Sequence, residues 1–203
     1  MRWDNLFQDL EAQLETVLGD EVEDALRDSE RARRGAQTLA EVMIEELSSG
    51  NYREPIQLCT AGGNLWITVD NFGSDWISGE VSAPVHFAGY CIVNVARVSR
   101  VVLASSSLTN PTEMSSVDHR IPPGAARRLG RVTLRIVLRD LVRRRKSGWV
   151  VTADAQFHGT LDRVGKDFVE LAQHSPRSPR RQESIENQAW IQLSEVCVFR
   201  LDD

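Results

Sequence analysis

Five arginines, Arg127, Arg131, Arg135, Arg139 and Arg143, recur at strict four-residue intervals, and Arg144 and Arg145 follow directly. At that spacing side chains share one face of a helix, and a row of guanidinium groups offers fork-shaped donors to phosphate. These seven residues are the candidate nucleic-acid contacts, with RNA preferred over DNA. Four adjacent like-charged pairs cost an isolated helix roughly 1–2 kcal/mol in total. The stripe therefore asks for phosphates, an acidic part of the same chain, or solvent with salt. Each step of four turns an α-helix by about 400°, so the row winds through about 160° and about three arginines meet one flat backbone. The stacking aromatics of single-strand binders do not accompany them.

Other groups able to do chemistry are sparse. Asp70 and Asp75 flank one short turn, Asp162 and Asp167 another. They have the types needed for paired catalytic carboxylates, but their repetition at both ends of a turn predicts backbone hydrogen bonding instead. An enzyme using Asp70 and Asp162, or a histidine, is the third function class considered. His86, His119, His158 and His174 stand apart in the sequence, without an H-E-x-x-H or C-x-x-C partner. Cys59, Cys91 and Cys197 are odd in number and scattered, which reads as reduced core thiols of a cytoplasmic protein. No G-x-S-x-G, P-loop or Rossmann glycine pattern occurs, and Ala61-Gly62-Gly63-Asn64 reads as a hairpin turn. The chain is read as a non-enzyme, with no catalytic residue, cofactor-binding residue or metal ligand assigned.

The elements that carry these residues are organised by an internal repeat. TAGGNLWITVDNFGSDW, from Thr60, returns from Thr152 as TADAQFHGTLDRVGKDF, so that Thr60, Ala61, Thr68, Asp70, Gly73 and Asp75 recur. A second echo aligns YCIVNVARVSR from Tyr90 with WIQLSEVCVFR from Trp190. Each copy reads as antiparallel strands: IQLCT, LWITVD, DWISGEV, HFAGYCIV and RVVLA in the first, WVVTA, FHGTLD, DFVELA, AWIQL and VCVFRL in the second. The recurring turn glycines, Gly73 and Gly165, are expected to supply a positive φ. What is duplicated is a scaffold, because exposed positions diverge: Ile67 against Gly159, Asn71 against Arg163, Ser74 against Lys166.

The net charge of −5 is unevenly spread: residues 1–47 hold 13 acidic groups against 5 basic, whereas residues 123–146 hold 9 basic against one acid, Asp140. Polarised charge of this kind concerns partners more than fold. Trp3, Phe7, Leu10, Leu14 and Val17 alternate at spacings of four and three, a short a/d seam for a protein partner or self-association. No apolar run is long enough for a membrane span, and the acidic N-terminus does not read as a signal peptide. The resulting division is an acidic helical arm over 1–35, a first unit with a leading helix over 36–104, a flexible linker over 105–122, and a second unit with the Arg-rich helix over 123–203. A variable insert with Ser-Pro-Arg pairs, residues 173–188, reads as a solvated loop.

Helix, three strands, variable loop and two strands joined by a very short turn resemble an Sm-like unit, a small SH3-type barrel. Gly159-Thr160-Leu161, Val164, Asp167-Phe168-Val169-Glu170-Leu171 and Ile191-Gln192-Leu193-Ser194 carry the likeness. WDNLFQDLEAQLE at the start and GTLDRVGKDFVELA near the end make nearly the whole chain resemble an uncharacterised group of actinobacterial proteins with two such units. The resemblance implies a mainly β, α+β fold: two tandem Sm-like barrels, each preceded by a helix, packed as a pseudo-dimer behind a helical arm. It does not bring an RNA pocket. Gly165 and Val169 stand where such pockets carry Asp and Asn, and the closing strand ends Arg200-Leu201 without the glycine. The expected function is a macromolecular interaction module or scaffold, with nucleic-acid binding through the Arg helix as the alternative. Function is expected in what the copies do not share: the arm, the Arg helix and the Ser-Pro-Arg loop.

Overall fold

The computed structural model describes residues 26–48, 54–103, 127–176 and 185–202. The seam Trp3 to Val17, the linker 105–122 and residues 177–184 of the Ser-Pro-Arg insert lie outside the described residues. The chain divides into two units, Met1–Val42 and Met43–Asp203.

Within the first unit, residues 26–36 form helix α1. Glu30 accepts from Arg33 at 2.9 Å and Arg34 at 3.0 Å one turn on, and these bonds hold its carboxyl down at about 2. Helix α2 (Leu39–Ser48) opens on a capping box. The Thr38 hydroxyl accepts from the Glu41 N–H at 3.3 Å, and the Glu41 carboxylate accepts from the Thr38 N–H at 2.8 Å.

In the second unit, β1 (Ile56–Thr60), β2 (Gly63–Phe72), β3 (Trp76–Ala83), β4 (Gly89–Asn94) and β5 (Val98–Val102) form a first run. A two-residue strand β6 (Arg127–Arg128) and helix α3 (Leu134–Arg143) lead into a second run: β7 (Ser147–Val151), β8 (Gln156–Val164), β9 (Phe168–Gln173), β10 (Asn187–Gln192) and β11 (Val198–Leu201). All ten strands expected from the repeat are present. Their assembly is not the one expected.

Two separate barrels are not formed. The strands make one open sheet in the order β10-β9-β8-β7-β11-β4-β3-β2-β1-β5, every neighbouring pair antiparallel, with β6 added parallel to β2 and only three short helices described. The physical reason is β11. It pairs with β7 of its own run on one side and with β4 of the first run on the other, so neither run closes on itself. Both runs share the order fourth-third-second-first-fifth, and the junction joins the fifth strand of one to the fourth of the other.

The pairing registers agree with a shift of 92 positions. Leu58 faces Leu65 as Val150 faces Phe157, and Phe72 faces Ile77 as Val164 faces Val169. The β2–β3 register slips between Val69 and Asn71, and the β8–β9 register slips at the same place, between Leu161 and Arg163. Asp70 and Asp162 are thus the extra residues of matching bulges. The recurring threonines close matching turns: Thr60 Oγ1 donates to the Gly63 carbonyl at 3.0 Å, Thr152 Oγ1 to that of Ala155 at 3.1 Å.

Two details of the repeat need correction. Ile92 faces Ser78 in β3 and Trp190 faces Glu170 in β9, and Glu170 is the counterpart of Ser78. Trp190 therefore corresponds to Ile92, not to Tyr90, and from β4 onward the shift is 98 residues. Gly73 and Gly165 are not left-handed: the positive-φ glycines among the described residues are Gly63, Gly89 and Gly130. What Gly73 and Gly165 provide is space, since a Cβ would enter the Trp76 indole in one turn and the Phe168 ring in the other.

The core joins both runs. Leu134, Leu138 and Leu141 of α3 pack with Val150, Leu161, Leu171 and Phe199 of the second run and with Trp76 and Ile92 of the first. Residues of opposite runs thus share one buried cluster.

Candidate interaction surfaces

The Arg-rich helix is shorter than its sequence period. Arg127 and Arg128 are strand, Gly130 turns the chain at φ +50, and Thr133 caps the helix with an extended backbone at φ −90, ψ 159. Only Arg135, Arg139 and Arg143 of the stripe lie on α3, while Arg144 and Arg145 lie just beyond it. Arg131 precedes the helix in the turn and is exposed. The helix begins there because Asp75, from the β2–β3 turn, accepts a hydrogen bond from the Leu134 N–H at 2.8 Å. A carboxylate at a helix N-terminus satisfies a free donor and complements the dipole. Asp75 is thus a capping residue, the backbone role expected of it, reached from a distant turn.

Arg139 is exposed on α3, and Arg143, Arg144, Arg145 and Lys146 form a continuous exposed run at and beyond its C-terminus. Asp140 is their single carboxylate, accepting from Arg144 Nε at 2.7 Å and lying 3.5 Å from Arg143. Cations at a helix C-terminus are favourable against the dipole, which offsets part of their mutual repulsion.

Between α3 and the face of β2, β3 and β4 runs a groove of about 560 Å³. Its walls are largely apolar, with Ile92, Leu129, Ile136 and Val137 among them, and its polar floor is one connected cluster. Asn71 Nδ2 donates to the Tyr90 hydroxyl at 3.1 Å and to Ser78 at 3.4 Å, and the two hydroxyls lie 3.0 Å apart. These groups satisfy one another beside α3.

Sequence spacing also hid a histidine cluster. His158 on β8 and His174 after β9 lie 16 positions apart, yet their rings stand 5.1 Å apart at right angles, both buried. His158 Nδ1 lies 2.8 Å from the His174 carbonyl, an obligate acceptor, so that nitrogen donates. Its Nε2 lies 2.8 Å from the Asp202 carboxylate. His174 Nδ1 faces the Ser175 carbonyl at 3.1 Å, which leaves Nε2 to accept from Thr160 at 2.9 Å. These contacts tie β8, the end of β9 and the residue after β11 together.

The three thiols are free and buried. Burial pushes the Cys91 thiol up to about 12, with Arg200 pulling it down and Glu80 raising it further. Among the described residues, no group of three or more His, Cys, Asp or Glu could hold a metal ion, and no helix is long and apolar enough to cross a membrane.

The sheet ends in two edges, β10 and β5. β10 reads NQAWIQ, without charge or proline, and Trp190 at its centre is 72% exposed. Natural edge strands are usually blunted by lysine, proline or a bulge, and this one has none of these. No protein-family model, curated protein or solved structure matches this chain.

Proposed function

We propose that the chain is a non-enzymatic interaction module, a scaffold whose sheet edges and N-terminal arm engage macromolecules. The observation that carries this reading is β10, an uncharged edge strand exposing a tryptophan. Edge strands bind by adding a strand, with main-chain bonds giving affinity and side-chain contacts giving specificity. The seam Trp3, Phe7, Leu10, Leu14 and Val17 is the second contact element of this reading. Free, buried thiols fit a cytoplasmic setting. Affinity capture from the native host tests the reading with wild type, Trp190→Glu and a chain lacking residues 1–18. Loss of specific partners is expected for each variant, and partner sets identical to wild type would overturn the proposal.

A second reading, nucleic-acid binding, has its own observation in exposed Arg139 and the exposed run Arg143 to Lys146. RNA is the expected ligand, preferred to DNA. Three phosphates neutralised together give a slope of log K against log salt of about −2 to −3. Fluorescence anisotropy with mixed-sequence RNA and DNA at two salt concentrations measures it. Binding absent at micromolar protein, or insensitive to salt, would sink this reading.

A further inference from the structure

The groove between α3 and the first run carries a hydrogen-bond imbalance on its polar floor. Asn71 Nδ2 has two protons and gives them to the Tyr90 and Ser78 hydroxyls. Those two hydroxyls share one contact of 3.0 Å, which uses one of their two protons. Each group has partners in the other two, and the count still leaves one proton. Ser78 is 3% exposed whereas Tyr90 is half-buried, so Ser78 donates and the Tyr90 proton turns to the groove. Tyr90 then accepts twice, which fills both of its acceptor positions. Its remaining capacity is one donor, and no acceptor takes it among the described residues.

Strand register brings a second donor to the Tyr90 end. Tyr90 precedes Cys91, which pairs with Arg200, and Lys146 lies two residues before Gly148, which pairs with Leu201. Lys146 is exposed, lines the groove, and has no carboxylate partner among the described residues. The other charged lining groups, Arg144 and Asp140, are paired with each other at 2.7 Å. The carbonyls of Asp140, Leu141 and Val142, at the end of α3, already accept from the N–H groups of Arg144, Lys146 and Arg145. This end of the groove therefore offers donors and a net positive charge.

We propose that the groove binds a linear aliphatic monocarboxylate, its carboxylate held by Tyr90 and Lys146 and its chain lying against Ile92, Ile136 and Val137. A carboxylate, which only accepts, is the complement of two donors. A volume of about 560 Å³ with mostly apolar walls and few polar groups is the usual make-up of a small-ligand site. Ile136 lines it and is 49% exposed, so a bound chain covers apolar surface. Trp76 is 2% exposed and offers no open ring face, and the remaining apolar walls are branched aliphatics. A flexible chain fits such walls better than an aromatic plate, which wants a ring to stack on.

The repeat supplies the contrast. Arg163, Glu170 and Gln188 are the counterparts of Asn71, Ser78 and Tyr90. There Glu170 accepts from Arg163 at 2.8 Å and from Gln188 at 2.9 Å, one bond to each carboxylate oxygen. Both copies keep a three-membered cluster, but the one beside α3 is the one that turns a phenol donor toward an apolar groove.

Isothermal titration calorimetry of the full chain with decanoate, decanol and acetate tests this. Decanoate should saturate a single site, decanol should bind about tenfold more weakly for want of charge, and acetate should not bind. Ile136→Asp sets a carboxylate in the groove, in the first turn of α3 where the helix dipole favours it, so the fold is kept. It should weaken decanoate by about tenfold or more. Lys146→Gln and Tyr90→Phe should each narrow the gap between decanoate and decanol, a change that a merely structural role would not produce. Circular dichroism melts establish that the variants compared are folded. No saturation by decanoate, equal affinity for decanol, or wild-type affinity in both Ile136→Asp and Lys146→Gln would overturn the proposal.

Discussion

Trp76→Ala is expected to destabilise the protein by about 3–5 kcal/mol, the range for emptying a large buried aromatic site. Trp76 is 2% exposed and opens β3. Its ring lies over Gly73, where no Cβ would fit, and its indole N–H donates to the Val132 carbonyl at 2.9 Å. That carbonyl belongs to the segment entering α3, whose first turn is capped by the neighbouring Asp75. One turn of the first run therefore holds the start of the helix that packs on the second. Trp76→Phe keeps most of the apolar surface but removes the shorter of two hydrogen bonds to that carbonyl, leaving the Ser74 N–H at 3.4 Å, so a loss of about 0.5–1.5 kcal/mol is expected. The repeat supplies the internal control. Phe168 occupies the matching turn over Gly165, but it is only part-buried, with Arg163 5.2 Å above its ring. Phe168→Ala should cost about 1–2 kcal/mol, since less apolar area leaves water there. Urea midpoints of the three variants check the ranking. Equal losses at Trp76 and Phe168 would show that the turn does not anchor α3.

That asymmetry shows what the sequence could and could not convey. Strand positions were legible because alternation and turn residues are local, so Ile56–Thr60 is found where IQLCT stands. Closure was not legible. Whether β11 returns to its own run or joins β4 is decided by which edge it meets, and no local pattern records that. The two-residue error in the second echo has the same origin. Strand side chains alternate with period two, so a slip of two keeps every inward and outward position and leaves no trace in hydropathy. The Arg stripe misled in another way. Arginine favours helix at every position, so the four-residue period ran on through Gly130, where the backbone turns left-handed. Gly130 was the available signal, and tertiary capping by Asp75 fixed the start. His158 and His174 were separated in sequence but become neighbours once the β8–β9 hairpin pairs Gly159 with Gln173. Asn71, Ser78 and Tyr90 likewise needed the β2–β3–β4 register before they could be seen as one cluster.

Asn94→Ala is expected to cost about 2–4 kcal/mol, because it strips donors from two carbonyls and an acceptor from a third group at once. Asn94 is buried, donates to Leu193 and Val196 across the junction, and accepts from the Ala96 N–H at 3.1 Å. Its own N–H donates to the Cys197 carbonyl at 3.0 Å, so the backbone contact survives the substitution. Asn94→Asp should be worse than alanine, since a carboxylate places acceptors against two carbonyl oxygens and cannot donate. Gln192→Ala removes the corresponding carboxamide at an exposed position and should change stability by no more than about 0.5 kcal/mol. Denaturant unfolding followed by fluorescence and by circular dichroism separates these outcomes. The shape of the transition matters as much as its midpoint. A core that draws Trp76 and Ile92 into one cluster with Leu171 and Phe199 couples the two runs, so wild type should unfold in a single step by both probes. Weakening the clasp at Asn94 attacks that coupling where the runs meet. The expected result is a lower midpoint with the two probes beginning to diverge, the first run losing structure separately from the second. Coincident curves at an unchanged midpoint would mean that the junction is held by the core alone and that the carboxamide is dispensable to it.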